Sequence, residues 1–173
     1  MSDDLSAQLA AIRRQTRLAL PGDETYLYRL GVALYGFSSI TSFMIEITRR
    51  LDPSQDWFAL NRLEAGRVCG QFEVALARGA ADGSYVETAG SEALELIRAL
   101  NSERSDFVHA YPITNEARAQ ILHRRPKEGE GFEVSTEFLD QFIAKLHDAS
   151  SKLYEVRDTL DRAETLREGA DSV

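Results

Sequence analysis

The chain has 173 residues, of which 43% are hydrophobic and 28% charged, a balance typical of a folded domain and not of a disordered chain. Its 28 acidic and 20 basic side chains give a formal charge of −8, which disfavours general binding to phosphate backbones or anionic membranes. The single cysteine, Cys69, excludes an intramolecular disulfide, and the three dispersed histidines have no zinc-binding spacing, so no metal or cofactor is implied.

The amino-terminal segment is acidic and polar and lacks the basic start and apolar run of a signal peptide, so we expect a cytoplasmic protein. The spacing of apolar residues predicts a first helix from Leu5 to Ala19, which Pro21 and Gly22 terminate. This amphipathic helix is expected to lie at the periphery of the domain.

A second, long helix is predicted after Asp23, a suitable N-cap, and continues to Leu51, where Asp52 and Pro53 stop it. Its apolar residues recur every three or four positions on more than one side, so the helix should have several neighbours. Polar residues interrupt its most apolar stretch, from Leu30 to Ile47, which should therefore fall short of the roughly 20 apolar residues of a membrane span. We predict a buried central helix.

Two further helices are predicted in the middle of the chain. Trp57 and Phe58 lead into a third helix, from about Leu60 to Ala77, and the small residues 79–84 indicate a loop. A fourth helical pattern, visible from Ala93, ends before Pro112.

The regular spacing of apolar residues fails between residues 113 and 134. Arg118 to Arg125, followed by a polar turn, indicates a short irregular or β-hairpin insertion there. Ser135 is a suitable N-cap for a last long helix, which should continue to about Leu160.

These elements together predict an all-α fold, a four- to five-helix up-and-down bundle with one insertion at residues 113–134. We interpret residues 1–173 as a single helical domain. Within it, residues 24–160 form the bundle, residues 1–22 lie outside it, and the charged tail 162–173 frays.

The densest cluster of reactive side chains lies in the fourth predicted helix, in the segment Asn101-Ser-Glu-Arg-Ser-Asp-Phe-Val-His-Ala-Tyr-Pro112. Arg104 offers a charged planar fork suited to phosphate, and His109 offers an imidazole that can exchange a proton near neutral pH. At about 100° per residue, these two side chains are separated by about 140° around an ideal helix. Their convergence needs a distorted helix end or a second protomer across a two-fold axis. Ser105 and Asp106 lie four and three residues before His109 and are placed to orient its ring.

This segment resembles the signature of the HEPN superfamily. The resemblance rests on Arg104 and His109, spaced as Arg-x4-His near the end of a helix, with Glu103 before the arginine and Tyr111-Pro112 after the histidine. HEPN proteins are small helical bundles, commonly dimeric, and many are ribonucleases of toxin–antitoxin, phage-defence or RNA-processing systems. The motif helix carries the resemblance, which extends to residues 24–160 in outline.

The resemblance implies a metal-independent endoribonuclease in which Arg104 and His109 are catalytic. His109 would transfer a proton at the ribose 2′-hydroxyl or the leaving oxygen, and Arg104 would stabilise the charge of the phosphorane, giving a 2′,3′-cyclic phosphate. Four neighbours would support the site: Glu103, Ser105, Asp106 and Tyr111. A homodimer, an RNA substrate and an antitoxin or defence protein as partner are also implied.

Two interpretations without catalysis stay open. Ser105 stands where the family often has Asn, Asp or His, so the chain is also interpreted as a catalytically inert HEPN-like module that binds a protein partner or a nucleotide. In the other interpretation the helices are purely structural. Arg104 then forms ion pairs with Glu103, Asp106 or a neighbouring helix, and His109 caps the helix end.

The most basic stretch of the chain follows the motif helix and is a weaker candidate for RNA contact. It consists of His123, Arg124, Arg125 and Lys127. Such cations can bind RNA phosphates. The stretch is equally consistent with a solvated loop, because Glu128 and Glu130 follow at once and no aromatic residue is interleaved for base stacking.

Overall fold

Helices dominate the structure, and a small antiparallel sheet interrupts them before the last helix. This computed structural model describes residues 2–16, 20–81 and 87–170. Within those residues the elements are α1 (Ser2–Gln15), α2 (Glu24–Leu51), α3 (Trp57–Leu60), α4 (Ala65–Ala81), α5 (Glu87–Val108), β1 (Tyr111–Thr114), β2 (Gln120–Arg124), β3 (Phe132–Val134) and α6 (Thr136–Ala170). The predicted helical character is confirmed, with six helices in place of four or five.

α2 begins and ends where the sequence predicts. The Asp23 carboxylate accepts hydrogen bonds from the backbone amides of Thr25 (2.9 Å) and Tyr26 (3.2 Å), and the helix continues to Leu51. The Thr25 hydroxyl and these amides lower the pKa of the Asp23 carboxyl, because they stabilise its charged form. Asp23 is therefore an N-cap, as predicted.

The prediction that α2 is too polar to span a membrane was wrong by the criterion of length and composition, which this helix meets. Two hydroxyl residues of the apolar stretch donate to carbonyls of their own helix. Ser38 donates to Leu34 O at 3.1 Å and Thr41 donates to Phe37 O at 2.9 Å. An apolar stretch of 18 residues in α2 is 33% buried inside the protein. The helix packs against α4 and α6.

The third predicted helix is divided into α3 and α4. Asp56 caps α3 by accepting a hydrogen bond from the amide two residues later, and Asn61 Nδ2 donates to the carbonyl of Trp57 at the other end. These local bonds close α3 after one turn, which the apolar spacing does not reveal. α4 continues to Ala81, so the predicted loop is helical over residues 79–81, and its remaining residues lie outside the described part of the chain.

Three strands follow α5 where a hairpin or an irregular segment is predicted. β1 pairs antiparallel with β2, with Tyr111 opposite His123, and β2 pairs antiparallel with β3, with Leu122 opposite Val134. Sequence patterning missed β1 because it has only four residues and contains Pro112. β1 is an edge strand, where a proline is tolerated because one side of the strand makes no ladder bonds.

α1 begins at Ser2, three residues before the predicted start. It ends at Gln15, and residues 17–19 of the predicted helix lie outside the described part. The apolar side chains of Leu5 and Ile12 are more than half exposed, as expected for a helix at the periphery of the domain.

α6 begins after Ser135, whose hydroxyl accepts a hydrogen bond from the Phe138 amide at 3.2 Å, as predicted for an N-cap. The helix continues to Ala170, past residue 162, where charged composition predicts fraying. Arg50 of α2 donates to Asp161 at 2.6 Å and to Glu164 at 3.0 Å. These ion pairs hold the beginning of the charged tail against α2, which composition alone does not indicate.

Candidate functional site

The motif segment forms the last turns of α5 and the residues that follow it. Phe107 is buried, and its ring lies edge to face with that of Phe142 on α6, with 5.0 Å between ring centroids. α5 ends at Val108, and the amide of His109 still donates to the carbonyl of Ser105 at 3.1 Å. The helix therefore ends regularly before Pro112, as predicted, and His109 stands in the turn just past it.

Both acids of the motif form ion pairs with cations from other elements. Glu103 binds the ammonium of Lys145 on α6, and the carboxylate of Asp106 lies 3.2 Å from Nε of Arg124 on β2. Neither acid pairs with Arg104. The purely structural interpretation offered these two acids or a neighbouring helix as partners of Arg104, and only the neighbouring helix is left.

Arg104 has a different environment from the other charged residues of the motif. Its guanidinium lies over the ring of Phe37, 5.3 Å from the centroid, and its Nη2 donates a long 3.4 Å bond to Asn101 Oδ1. Among the described residues no carboxylate forms an ion pair with it, and its buried Nε has no hydrogen-bond partner. Because no described carboxylate neutralises this guanidinium, its charge retains capacity for an external anion.

A cavity of about 310 Å³, which we term the Arg104 cavity, lies where α2 faces this guanidinium. Its wall combines apolar side chains with hydroxyl and carboxamide groups. Besides Arg104, the lining residues are Leu34, Phe37, Ser38, Thr41, Ser42, Ile45, Asn61, Leu63 and Ala65. The hydroxyl residues of α2 in this wall were missed as site residues. Their signal in the sequence is the spacing of Ser38, Thr41 and Ser42, which places them on one face of the helix.

His109 is exposed and does not join Arg104 within one protomer. The structure shows neither a hydrogen bond nor a ring contact between these two described residues, and Arg104 is directed toward Phe37 of α2. The angular separation predicted from helix geometry therefore persists to the end of α5.

Tyr111 contacts the basic stretch and not the Arg104–His109 pair. Its hydroxyl lies 3.2 Å from His123 Nδ1, and the guanidinium of Arg125 lies over its ring, 5.0 Å from the centroid. The pairing of β1 with β2 thus supplies an aromatic residue that the sequence does not show beside this stretch. Arg124 is occupied by Asp106, while Lys127 is exposed in the loop after β2.

Other kinds of catalytic group receive no support from the part of the chain described. No cluster of His, Cys, Asp and Glu side chains there is arranged to hold a metal ion. Cys69 is buried, and burial raises the pKa of its thiol, which disfavours the reactive thiolate.

Comparisons with protein-family models, curated proteins and solved structures give no match to the chain. Within the motif, no described carboxylate pairs with Arg104, a cavity lies beside it, and His109 is exposed.

Proposed function

We propose that this chain is a HEPN-like cytoplasmic protein, an up-and-down helical bundle that forms a homodimer and cleaves RNA without a metal. Arg104 and His109 would be its catalytic residues. One observation carries the proposal: Lys145 and Arg124 bind the two acids of the motif, whereas no described carboxylate pairs with Arg104, and His109 is exposed. The motif acids therefore do not compete with an RNA phosphate for the guanidinium.

The chemistry needs one base and one cation. A neutral His109 accepts the proton of a ribose 2′-hydroxyl, whose oxygen then attacks the adjacent phosphorus. Arg104 stabilises the additional negative charge of the phosphorane. The 5′ oxygen leaves with a proton returned from an imidazolium, and the products are a 2′,3′-cyclic phosphate and a 5′-hydroxyl.

A homodimer would bring together the residues that one protomer keeps apart. On α2, Tyr28 is 74% exposed and Tyr35 is 79% exposed, and the two stand two helical turns apart on one face. Aromatic side chains are enriched at protein interfaces. Leu34, also exposed, belongs to the Arg104 cavity and lies about 100° from Tyr35 around the helix. A protomer that covers both sides of α2 would lie beside Arg104. An antitoxin or defence protein is an alternative occupant of the same face.

The test is cleavage of a mixed RNA substrate by the purified protein in EDTA. We expect cleavage that EDTA does not abolish, with cyclic phosphate at the new 3′ ends. Arg104→Ala and His109→Ala should each reduce the rate by at least about 100-fold, the usual contribution of a general base or of charge stabilisation.

The matched control is Arg162→Ala, which removes an exposed arginine of α6 that lies 17 residues after Lys145, the α6 residue paired with Glu103. This variant should cleave RNA like the parent protein, and circular dichroism should show all variants folded. Cleavage that is absent from the parent, or equal in all the variants, would contradict the proposal.

A second candidate function is that of a catalytically inert HEPN-like module, which binds a protein partner or a nucleotide. The separation of Arg104 from His109 within a protomer favours it, together with Ser105 at the position after the arginine. This candidate predicts that the folded parent protein leaves RNA uncut in the same assay.

A further inference from the structure

The rim of the Arg104 cavity presents hydrogen-bond acceptors. The hydroxyl protons of Ser38 and Thr41 are donated to carbonyls of their own helix, at 3.1 and 2.9 Å, so their oxygen lone pairs are what a ligand would meet. Asn61 uses its Nδ2 to donate to the Trp57 carbonyl at 2.8 Å, which leaves its Oδ1 as an acceptor. These three neutral acceptor oxygens line one cavity, together with the hydroxyl of Ser42.

The same cavity contains one cation and, among its described lining residues, no carboxylate. Arg104 offers donors to an anion, while Leu34, Ile45 and Leu63 provide apolar surface. A ligand that matches this wall must have an oxyanion at one end, hydrogen-bond donors at another and a small apolar part. A simple anion would satisfy only the guanidinium.

We propose that the Arg104 cavity binds a small organic molecule that carries both an oxyanion, carboxylate or phosphate, and an ammonium group. The ammonium can donate to the acceptor oxygens of this wall, and the oxyanion can accept from the guanidinium. A volume of about 310 Å³ suits a molecule the size of a free amino acid. The ligand would occupy Arg104 and thus compete with RNA, a consequence that rests on the proposed function, whereas binding itself does not.

The binding test uses full-length His109→Ala protein, so that RNA cleavage plays no part. The nitrogen-15 NMR signal of Arg104 Nε–H, assigned with an Arg104→Lys variant, is followed during titration with four probes: acetate, L-leucine, inorganic phosphate and phosphoethanolamine. If the cavity binds a carboxylate, L-leucine should reach half-saturation at a concentration about tenfold below that of acetate. If it binds a phosphate, phosphoethanolamine should do so about tenfold below inorganic phosphate. The reason is that hydrogen bonds from the charged ammonium add affinity. The pair that shows the difference identifies the oxyanion.

Two threonines provide a matched pair of variants. Thr41→Val removes an acceptor of the cavity, and Thr159→Val removes a hydroxyl of α6 that likewise donates to a carbonyl four residues earlier, at 3.0 Å. Thr41→Val should weaken binding of the ammonium-bearing probe about fivefold, and Thr159→Val should leave it unchanged.

Three results would overturn the proposal: no response of Arg104 to any probe, equal affinity for the simple anions and their ammonium-bearing counterparts, or equal binding by both threonine variants. These results are distinguishable from failure of the proposed function, which the RNA assay measures separately. If RNA is cleaved, the bound probe should inhibit the parent protein.

Discussion

The carboxylate of Asp106 lies 3.2 Å from Nε of Arg124, and this ion pair ties the end of α5 to β2. Spacing along the helix predicts that Asp106 orients His109, three residues later. The structure instead directs Asp106 to the sheet, so the supporting role of this acid would be to hold the motif helix in place.

The Asp106–Arg124 pair should make a small but measurable contribution to stability. We expect a double-mutant cycle of Asp106→Asn and Arg124→Gln, measured by urea unfolding, to give a coupling energy of about 0.5–1 kcal/mol, because both side chains are partly exposed. The coupling should decrease in high salt. Additive effects of the two substitutions would show that the pair contributes nothing.

The buried hydroxyl of Tyr26 ties α2 to the sheet. It donates to the carbonyl of Val134 at 2.9 Å and accepts from the amide of Leu122 at 3.0 Å, and burial raises the pKa of this phenol. Tyr26→Phe leaves both backbone groups without this partner, so we expect the free energy of unfolding in urea to fall by about 1–3 kcal/mol. Tyr28→Phe, on the exposed face of the same helix, should change it by less than about 0.5 kcal/mol. Equal losses in the two variants would contradict this role of Tyr26.

The boundaries of α2 could be predicted because their causes are local. Asp23 caps the amides two and three residues later, and Pro53 disfavours helix in the residue before it. The division of α3 from α4 was missed, although its cause is also local, because Asn61 terminates a helix through a side-chain bond that apolar periodicity does not register.

The partners of the motif acids could not be predicted from spacing. Glu103 and Lys145 are 42 residues apart in the chain, and Asp106 and Arg124 are 18 apart. Which cation meets which carboxylate depends on how α5 packs against α6 and the sheet. The residue types that could bind phosphate were visible in the sequence, but the isolation of Arg104 from carboxylates was not.

Asp52 should make stability sensitive to acid. This carboxyl is buried, and the Ser54 hydroxyl, Gln55, the Ser54 amide and Arg78 lower its pKa by stabilising the charged form. Because the folded-state pKa is below the unfolded one, the stabilisation is complete above the ordinary value for Asp and is lost as pH falls through the folded value.

We therefore expect Asp52→Asn to lower the urea midpoint at pH 7 and to differ less from the parent protein as the pH falls toward 3. Asp148→Asn, an exposed position on α6, serves as the control and should follow the parent at every pH. A difference between the parent protein and Asp52→Asn that grows on acidification would contradict stabilisation of the fold by the charged Asp52 carboxyl.

Gly131 is required by the close approach of β2. A Cβ atom at this position would lie 2.5 Å from Cε1 of His123 and 2.9 Å from the carbonyl oxygen of Arg124. Gly131→Ala should therefore destabilise the protein by about 1–3 kcal/mol in urea unfolding. A Cβ atom at Gly70, in the interior of α4, would meet only open space. Gly70→Ala should therefore stabilise the protein by about 0.5–1 kcal/mol. Stabilisation by both substitutions would show that the sheet accommodates the extra methyl group.

The central claim is that Arg104 and His109, separated in one protomer, form a single site from two. It is tested most directly by unfolding Arg104→Ala and His109→Ala proteins together in urea, refolding the mixture and measuring RNA cleavage in EDTA. Each variant alone should be inactive. In the mixture, half of the dimers are mixed and each has one intact site, so we expect recovery of about one quarter of the parent activity. No recovery in a mixture shown to contain mixed dimers would contradict a site shared between protomers.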